Sequence, residues 1–437
     1  MGALPRKSLA LALLAMAASG TVLRAAAEPV QLFNGKDLTG WVNVYGTPDT
    51  WTVRDGTLVC TARTPGFLRT GRMYQNYVLD LEWRLVGPKA NSGVFLHADA
   101  LPQVGAPYPR SLEAQIYGDD HGSMFGIRGF RVVPLTKPGK SHAGAAEPLE
   151  RRCRPAGEWN RYVLTSKDGS VDLAVNGKLV TRVKDCSRRK GYIALQAEKG
   201  EIHFRNLRLT PLPGSEPPDG QVAQADEGLR PIFDGATFTG WKYRDAFAGH
   251  WVIRDGVLLG TGKPYAKRPP DRDLWTEKAY GDFRLIVDWR LPKKPEPRKL
   301  PVFTPDGLYA RDNNKFLEQE VLDAGDSGVF VRGSTRSQVN IWSQPMGSGD
   351  INDYHKDEKL PAAIRRACMP RKKADAKSGA WNRFVITMRG DVINVVLNGE
   401  TVIDRARLPE VPPRGPIGLQ DHNDPVEFCN LFLKPLD

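Results

Sequence analysis

The stretch W-N-R-Y-V-L-T-S-K-D-G-S-V-D-L-A-V-N-G, from Trp159 to Gly177, recurs from Trp381 to Gly399 as W-N-R-F-V-I-T-M-R-G-D-V-I-N-V-V-L-N-G. Each copy has an alternating apolar run, a polar turn, a second alternating run and then Asn-Gly. This pattern predicts a β-hairpin followed by a tight turn, because Asn and Gly both tolerate φ > 0. The repeat therefore indicates two domains of one design.

Further matched motifs surround both copies in the same order. Q-L-F-N-G-K-D-L-T-G-W echoes P-I-F-D-G-A-T-F-T-G-W, Y-V-L-D-L-E-W-R-L echoes F-R-L-I-V-D-W-R-L, and N-S-G-V-F-L-H echoes D-S-G-V-F-V-R. Almost every motif is short and bounded by Gly, Asn, Asp or Pro, and the longer ones alternate with period two, which marks strands with one buried face. The sequence predicts an all-β protein of two tandem β-sandwiches.

The chain of 437 residues is too long for one ordinary core. Residues 28–212 form the predicted first domain, 213–228 the linker and 229–437 the second domain. The linker has almost no large apolar residue and several prolines. Two insertions in the second copy, 292–323 and 352–378, are expected to be surface loops.

The first 27 residues have the pattern of an export signal. Arg6 and Lys7 precede an apolar core from Leu9 to Ala18, and small residues lead up to Ala27. The apolar run is too short to span a bilayer, and no later run predicts a membrane helix. We expect cleavage near Ala27 and a secreted or periplasmic protein.

Charge and cysteine content narrow the partners. The net charge of +12 comes from scattered Lys and Arg, which fits a solvated surface, with attraction to acidic polysaccharide or nucleic acid as the alternative. No aromatic-and-basic module predicts a nucleic-acid partner. Of five cysteines, Cys153 precedes the first hairpin and Cys186 follows it, so we predict a disulfide between them. No cysteine spacing resembles a zinc site, and no motif predicts a metal or cofactor.

The motif set resembles one family over nearly the whole mature chain. The matching motifs are L-F-N-G-K-D-L-T-G-W, N-S-G-V-F, L-E-A-Q-I-Y, G-E-W-N, V-N-G-K, G-Y-I-A-L-Q and F-R-N-L. These domains, once described only as being of unknown function, are now described as 3-keto-disaccharide hydrolases, with a fold similar to the concanavalin A-like lectins and glucanases. The resemblance implies two tandem jelly-roll sandwiches and a carbohydrate partner: a disaccharide, glucoside or polysaccharide.

Glu113, Gln115 and Tyr117 alternate in S-L-E-A-Q-I-Y and so share one strand face. That face is too polar for a core and suits the concave side of a sandwich, although a solvated outer face is the alternative. A carboxylate there could act as acid or base, with Gln115 and Tyr117 binding sugar.

The second copy has S-Q-V-N-I-W at this strand, so an amide, Gln338, replaces the carboxylate. An amide cannot shuttle a proton near neutral pH. The second copy is therefore expected to bind without reacting, or to use another group, with Asn340 and Trp342 as binding candidates.

At the strand that carries Leu-Gln, the first copy is the one that differs from the family pattern. The first copy has Gln196 and Glu198 where the second has Gln420 and His422, and the resemblance implies Leu-Gln-x-His. Glu198 gives the first copy a second carboxylate beside Glu113, and two carboxylates on neighbouring strands could be a glycosidase pair. Gln196, Gln420 and His422 are substrate-binding candidates, with a structural imidazole as the alternative for His422.

His97 and Arg332 occupy equivalent positions after S-G-V-F. Either side chain could hold a hydroxyl or stabilise an oxyanion, or both could simply be exposed at the end of a strand. His97 thus joins Glu113 and Glu198 as a catalytic candidate, and Arg332 is a binding candidate.

The resemblance implies a glycoside whose sugar carries a ketone at carbon 3. The ketone acidifies the proton on carbon 2, so that a base can remove it and the aglycone leaves carbon 1 before water adds back. Glu113 would be the base or acid, with Glu198 or His97 as partner. Together with the export signal, the resemblance implies an exported glycoside hydrolase-like protein, its first domain catalytic and its second binding; the alternatives are oxocarbenium hydrolysis, a non-catalytic lectin or a scaffold.

Overall fold

The computed structural model describes residues 28–118, 121–140, 144–225, 228–267, 269 and 271–436. The predicted export signal lies outside these residues. Within them, the strands before the predicted linker are β1 (Val30–Gln31), β2 (Trp41–Val44), β3 (Trp51–Arg54), β4 (Thr57–Cys60), β5 (Gly66–Thr70), β6 (Tyr74–Gln75), β7 (Tyr77–Leu85), β8 (Asn91–Ala98), β9 (Ser111–Tyr117), β10 (Met124–Ile127), β11 (Val133–Pro134), β12 (Asn160–Lys167), β13 (Ser170–Val175), β14 (Lys178–Lys184), β15 (Lys190–Ala197) and β16 (Ile202–Pro211).

The described strands after the linker are β17 (Arg230–Pro231), β18 (Trp251–Arg254), β19 (Val257–Thr261), β20 (Leu274–Tyr280), β21 (Phe283–Arg290), β22 (Glu296–Pro301), β23 (Arg311–Asp312), β24 (Lys315–Phe316), β25 (Glu318–Asp323), β26 (Ser327–Val331), β27 (Ser334–Ile341), β28 (Asn382–Arg389), β29 (Val392–Leu397), β30 (Glu400–Arg407), β31 (Gly415–Leu419) and β32 (Pro425–Pro435). Two short helices are α1 (Asn352–His355) and α2 (Ala362–Ala367). No helix among the described residues is long and apolar enough to cross a membrane.

The strands before the linker form the first sandwich. Its rear sheet has the order β11-β14-β13-β12-β7-β16-β4-β3, with β1 beside β16. Its front sheet has the order β10-β9-β8-β15-β5-β2, with β6 beside β15. Along β7 the residues alternate between buried and half-buried, as the period-two pattern predicts, because one face packs into the core between the sheets.

The second sandwich repeats this plan with a smaller front sheet. Its rear sheet has the order β18-β19-β32-β21-β28-β29-β30, with β17 beside β32, and its front sheet has the order β20-β31-β26-β27. The named strands pair antiparallel throughout. The predicted all-β class and tandem jelly-roll arrangement are confirmed. The insertions expected as loops contain the β22–β25 and β23–β24 ladders and both helices.

The repeated motif forms a three-strand meander in each sandwich. β12 and β13 join through Asp168-Gly169, and β13 and β14 through Asn176-Gly177, and these four residues have φ values of 46°, 87°, 48° and 86°. Positive φ at both central residues matches the twist of the flanking strands, which is why Asn-Gly and Asp-Gly occur there.

This meander separates the two cysteines that the sequence pairs. Near Cys153, the Asn176 side chain at one end of β13 donates to the carbonyl of Arg152 at 2.8 Å, while the Cys186 amide donates to Gly169 O at the other end. A six-residue strand is roughly 20 Å long, whereas disulfides need Cα atoms within about 7 Å. The predicted bridge is wrong, and both residues are free thiols.

A third apolar cluster joins the two sandwiches. Phe67 and Phe95 on the outer face of the first front sheet are buried together with Leu229, Ile286 and Phe432. Ile286 and Phe432 lie on the rear sheet of the second sandwich. The second sandwich therefore covers part of the face that carries the polar residues of β9.

Candidate functional site

The front sheet of the first sandwich brings together the polar residues that the sequence predicts. Along β9, Leu112, Ala114 and Ile116 pack into the core, so the alternate side chains face outward. They line a cavity of about 560 Å³, whose lining also includes residues of β8, β10, β15 and the adjoining loops: Asn91, Tyr108, Glu113, Gln115, Tyr117, Phe125, Gly126, Ile127, Arg128, Gln196 and Glu198.

Glu113 is only 3% exposed although it faces the cavity. It pairs with Phe95 of β8, and its carboxyl group lies over the backbone of Gly93, two residues earlier. A β-carbon on Gly93 would stand 2.4 Å from Oε1 of Glu113. The glycine of N-S-G-V-F therefore leaves the space that the carboxyl group occupies.

Glu198 is the second carboxyl group of the cavity. Burial raises the pKa of Glu198, while hydrogen bonds from Asn91 and Gln196 lower it by a smaller amount. A carboxyl group with a raised pKa keeps its proton closer to neutral pH and suits the role of a general acid. Glu198 is nevertheless exposed to solvent, whereas Glu113 is buried, so the two carboxyl groups of the cavity stand in different environments.

Tyr108, Asn91 and Arg128 were not predicted as site residues. The Tyr108 hydroxyl donates to Ala197 O at 3.2 Å, and its pKa is raised by burial first and then by the charges of Glu198 and Glu113. Its loop, residues 99–110, has no counterpart in the second sandwich, where only two residues join β26 and β27. The repeat therefore gave no signal for Tyr108.

The structure contradicts the catalytic role of His97. This side chain is fully buried, its Nε2 lies 2.9 Å from Oγ of Ser166, and its ring stacks on Phe130. Burial lowers the pKa of His97 to about 4. His97 is thus a neutral core residue between the sheets and does not line the cavity.

Arg332, predicted to bind substrate, is also buried. It is 2% exposed, forms an ion pair with Asp282 at 2.8 Å, and donates to the carbonyls of Gly281, Gly390 and Pro412. These bonds tie three loops together at one end of the second sandwich. Neither the predicted binding role nor the alternative, an exposed position at the end of a strand, fits this buried side chain.

The second front sheet has its own cavity, of about 590 Å³, lined in part by Gln338 and Gln420. Gln338 Nε2 donates to Gln420 Oε1 at 2.8 Å and to Asn340 Oδ1 at 3.0 Å. Two predicted binding residues, Asn340 and Gln420, are therefore joined through Gln338 in one amide network. Asn340 itself is 3% exposed.

Two other predicted residues of the second sandwich lie apart from this cavity. Trp342 packs near Phe303, with ring centroids 5.9 Å apart, and lines a separate pocket of about 110 Å³. His422 is 45% exposed with Nδ1 3.4 Å from Asp326 Oδ2. Asp326 and His422 occupy the positions that Asn91 and Glu198 hold in the first copy.

The described residues contain no group of three His, Cys, Asp or Glu side chains arranged to hold a metal ion.

A wider cleft of about 920 Å³ shares Tyr117 with the carboxyl-bearing cavity. Its lining includes Lys140, Arg151 and Arg154. Tyr117, 42% exposed, therefore stands between two hollows of the surface and can contact a ligand that spans them.

The fold and this site define a glycosyl hydrolase-like jelly-roll protein. The chain belongs to the family whose model is described as the 3-keto-alpha-glucoside-1,2-lyase-like domain, which matches residues 28–210 and 228–434. A 3-keto-disaccharide hydrolase of Bacteroides thetaiotaomicron is 25% identical over 292 residues, which cover 58% of this chain and 93% of the relative.

Solved structures also resemble the chain, with low TM-scores over the whole chain. A candidate glycosyl hydrolase from Parabacteroides distasonis is 23% identical, with a TM-score of 0.33, covering 42% of this chain and 94% of the other. A β-glucanase of Bacillus licheniformis is 12% identical, with a TM-score of 0.30, covering 43% and 100%.

Proposed function

We propose that this protein is an exported glycoside hydrolase-like enzyme that acts on 3-keto-disaccharides or 3-keto-glucosides. In this proposal the first sandwich is catalytic and the second binds carbohydrate. The observation that carries it is the first cavity, where Glu113 and Glu198 meet the amides of Gln115 and Gln196. The family and the Bacteroides relative support the substrate class.

Glu113 is the base of the proposed reaction. It removes the proton from carbon 2, which the ketone at carbon 3 acidifies, and an enolate forms. Arg128 lines the same cavity and supplies positive charge toward the enolate oxygen. Gln115 and Gln196 hold the sugar hydroxyls, since each amide can both donate and accept hydrogen bonds.

Glu198 is the acid for the leaving group. The enolate collapses, the bond from carbon 1 to the aglycone oxygen breaks, and Glu198 gives its proton to that oxygen. The sugar then carries a double bond between carbons 1 and 2. Water adds its oxygen to carbon 1 and its proton to Glu198, while Glu113 returns a proton to carbon 2. Both carboxyl groups regain their starting states.

Glu113→Gln and Glu198→Gln separate the two steps. With a 3-keto-glucoside in deuterated water, Glu113→Gln should lose both deuterium exchange at carbon 2 and aglycone release, by about 100-fold or more. Glu198→Gln should keep the exchange and lose the release. Glu158→Gln, at an exposed position, is the control. An unchanged rate in Glu113→Gln would refute the assignment.

A carbohydrate-binding protein without catalysis is the second candidate. The amide at Gln338, bonded to Gln420 and Asn340, favours it for the second sandwich, because amides bind hydroxyls but do not transfer protons at neutral pH. Saturable binding of 3-keto-glucosides without product would support this reading.

Mass spectrometry of the exported protein tests cleavage near Ala27.

A further inference from the structure

The cavities of the two sandwiches occupy the same place on their front sheets. Glu113 pairs with Phe95 in the first, and Gln338 pairs with Phe330 in the second. Leu-Gln recurs near the end of another front strand, β15 in the first copy and β31 in the second. The repeat therefore relates the two cavities, although the second has lost the carboxyl group at the Glu113 position.

The strand pairing places a different carboxyl group in the second cavity. In the first sandwich, Phe67 of β5 lies opposite Gln196 of β15. In the second, Leu274 of β20 lies opposite Leu419 of β31, so the residues one step outward, Asp273 and Gln420, face each other. Asp273 thus stands where the first copy has Phe67.

The contact between the sandwiches explains why the first copy has Phe67 where the second has Asp273. Phe67 is fully buried in the apolar cluster under the second sandwich. The corresponding face of the second sandwich carries an open hollow at this point. Asp273 and Gln420 line that hollow together with Gln338. The position thus serves packing in one copy and is available for binding in the other.

Asp273 is held in place by its surroundings. Its Oδ1 accepts a hydrogen bond from the Asp421 amide at 2.9 Å. This bond does not involve the other carboxylate oxygen, Oδ2. The preceding residue, Arg272, is 8% exposed and donates to Asn423 Oδ1 at 3.0 Å, and its carbonyl accepts from the Trp251 indole. This backbone is therefore fixed before any ligand arrives.

We propose that the second cavity is a saccharide site in which the Asp273 carboxylate binds vicinal hydroxyl groups beside the bonded amides of Gln420 and Gln338. A carboxylate only accepts hydrogen bonds and has two oxygens, so it suits two adjacent hydroxyls. A 3-keto sugar lacks one hydroxyl of the pairs that include carbon 3. The second site therefore takes an unoxidised sugar ring, whereas the first takes the ring that carries the ketone; this division rests on the proposed function.

The test is titration calorimetry with an unoxidised glucose disaccharide, cellobiose, on the full chain. Asp273→Asn should weaken binding at least tenfold, and Glu113→Gln should leave it unchanged. Asn at 273 can still accept the Asp421 amide, so the loop keeps its position. Asp255→Asn, in an exposed turn with φ 51°, is the matched control. Thermal unfolding midpoints show that each variant is folded.

The outcomes separate this proposal from the catalytic one. Binding lost in Asp273→Asn, with or without turnover of 3-keto-glucosides by the native protein, supports the second site. Binding that is lost in Glu113→Gln and kept in Asp273→Asn would place the sugar in the first cavity and overturn it. Absence of cellobiose binding to the native protein would also overturn it, even if 3-keto-glucosides are cleaved.

Discussion

Gly105 of the first sandwich lies against the indole of Trp381 in the second: a β-carbon on Gly105 would stand 3.4 Å from Cδ1 of that ring. The same loop supplies Tyr108 to the carboxyl-bearing cavity, and its Gln103 donates to the Arg128 carbonyl at 2.8 Å. The second sandwich thus supports one wall of the cavity in the first. We therefore expect the second sandwich to influence catalysis in the first.

Trp381→Ala should therefore lower kcat/KM at the first cavity, by about tenfold, because the loop that carries Tyr108 loses its support. The matched control is Trp159→Ala, the same position in the first copy. Trp159 is stacked by Arg84 and Arg205, and Trp381 is stacked by Arg290. Trp159→Ala loses two cation–π contacts and Trp381→Ala loses one, each worth about 1 kcal/mol, but only Trp381→Ala should lose activity. Equal kinetics in the two would show that the interface does not support the site.

Gly93→Ala should impair catalysis without replacing any catalytic group. The new β-carbon would stand 2.4 Å from Oε1 of Glu113, so the carboxyl group must move, and a misplacement of about 1 Å can cost about 100-fold in kcat. Gly328→Ala is the matched control, since its β-carbon would stand 2.0 Å from Nε2 of Gln338. Gly328→Ala should keep turnover and weaken cellobiose binding. A native kcat in Gly93→Ala would mean that the Glu113 position does not limit the reaction.

Period-two alternation and turn chemistry were enough to predict the sheets and the face that carries Glu113. They failed at His97 because of a β-bulge. Tyr192 pairs with Ala98 and Ala194 pairs with Phe95, so β8 has one more residue than β15 between these two pairs. His97 lies within this bulge and has a φ of 52°. The extra residue turns the next side chain toward the core, and no local sequence signal marks it.

The other failures have the same origin in long-range geometry. Phe67 and Asp273 are related only through the strand register, because the sequence around them has diverged. Tyr108 reaches the cavity from a loop that one copy lacks. In contrast, Glu198 and Gln196 could be found from sequence, because they alternate at the end of a strand that both copies share.

Buried His97 should make the protein lose stability in mild acid. Its pKa is lowered by burial from 6.5 to about 4, so the unfolded chain binds a proton that the folded chain does not. Stability from this residue is complete above pH 6.5, falls as the pH drops below that value, and is lost in full near pH 4, by about 3 kcal/mol in total. Urea unfolding at pH 7.5 and pH 5 measures it.

His97→Gln should remove this component, so that it loses about 2 kcal/mol less than the native protein between the two pH values. The control is His422→Gln, because His422 is 45% exposed and should leave the pH dependence nearly unchanged. If His97→Gln destabilises in acid as steeply as the native protein, His97 is not the buried neutral group described here.

Thiol titration distinguishes the observed cysteines from the disulfide that the sequence predicts. Five thiols should react with Ellman's reagent in guanidinium chloride without reductant, because Cys60, Cys153, Cys186, Cys368 and Cys429 are all free. Burial raises the pKa of the first four to about 12, so the folded protein at pH 8 should react slowly. Cys153 is the least buried of the five and should react first, and Cys153→Ser should remove that phase. A count of three that rises to five after reduction would show that the bridge forms, which would require the two ends of β13 to approach each other.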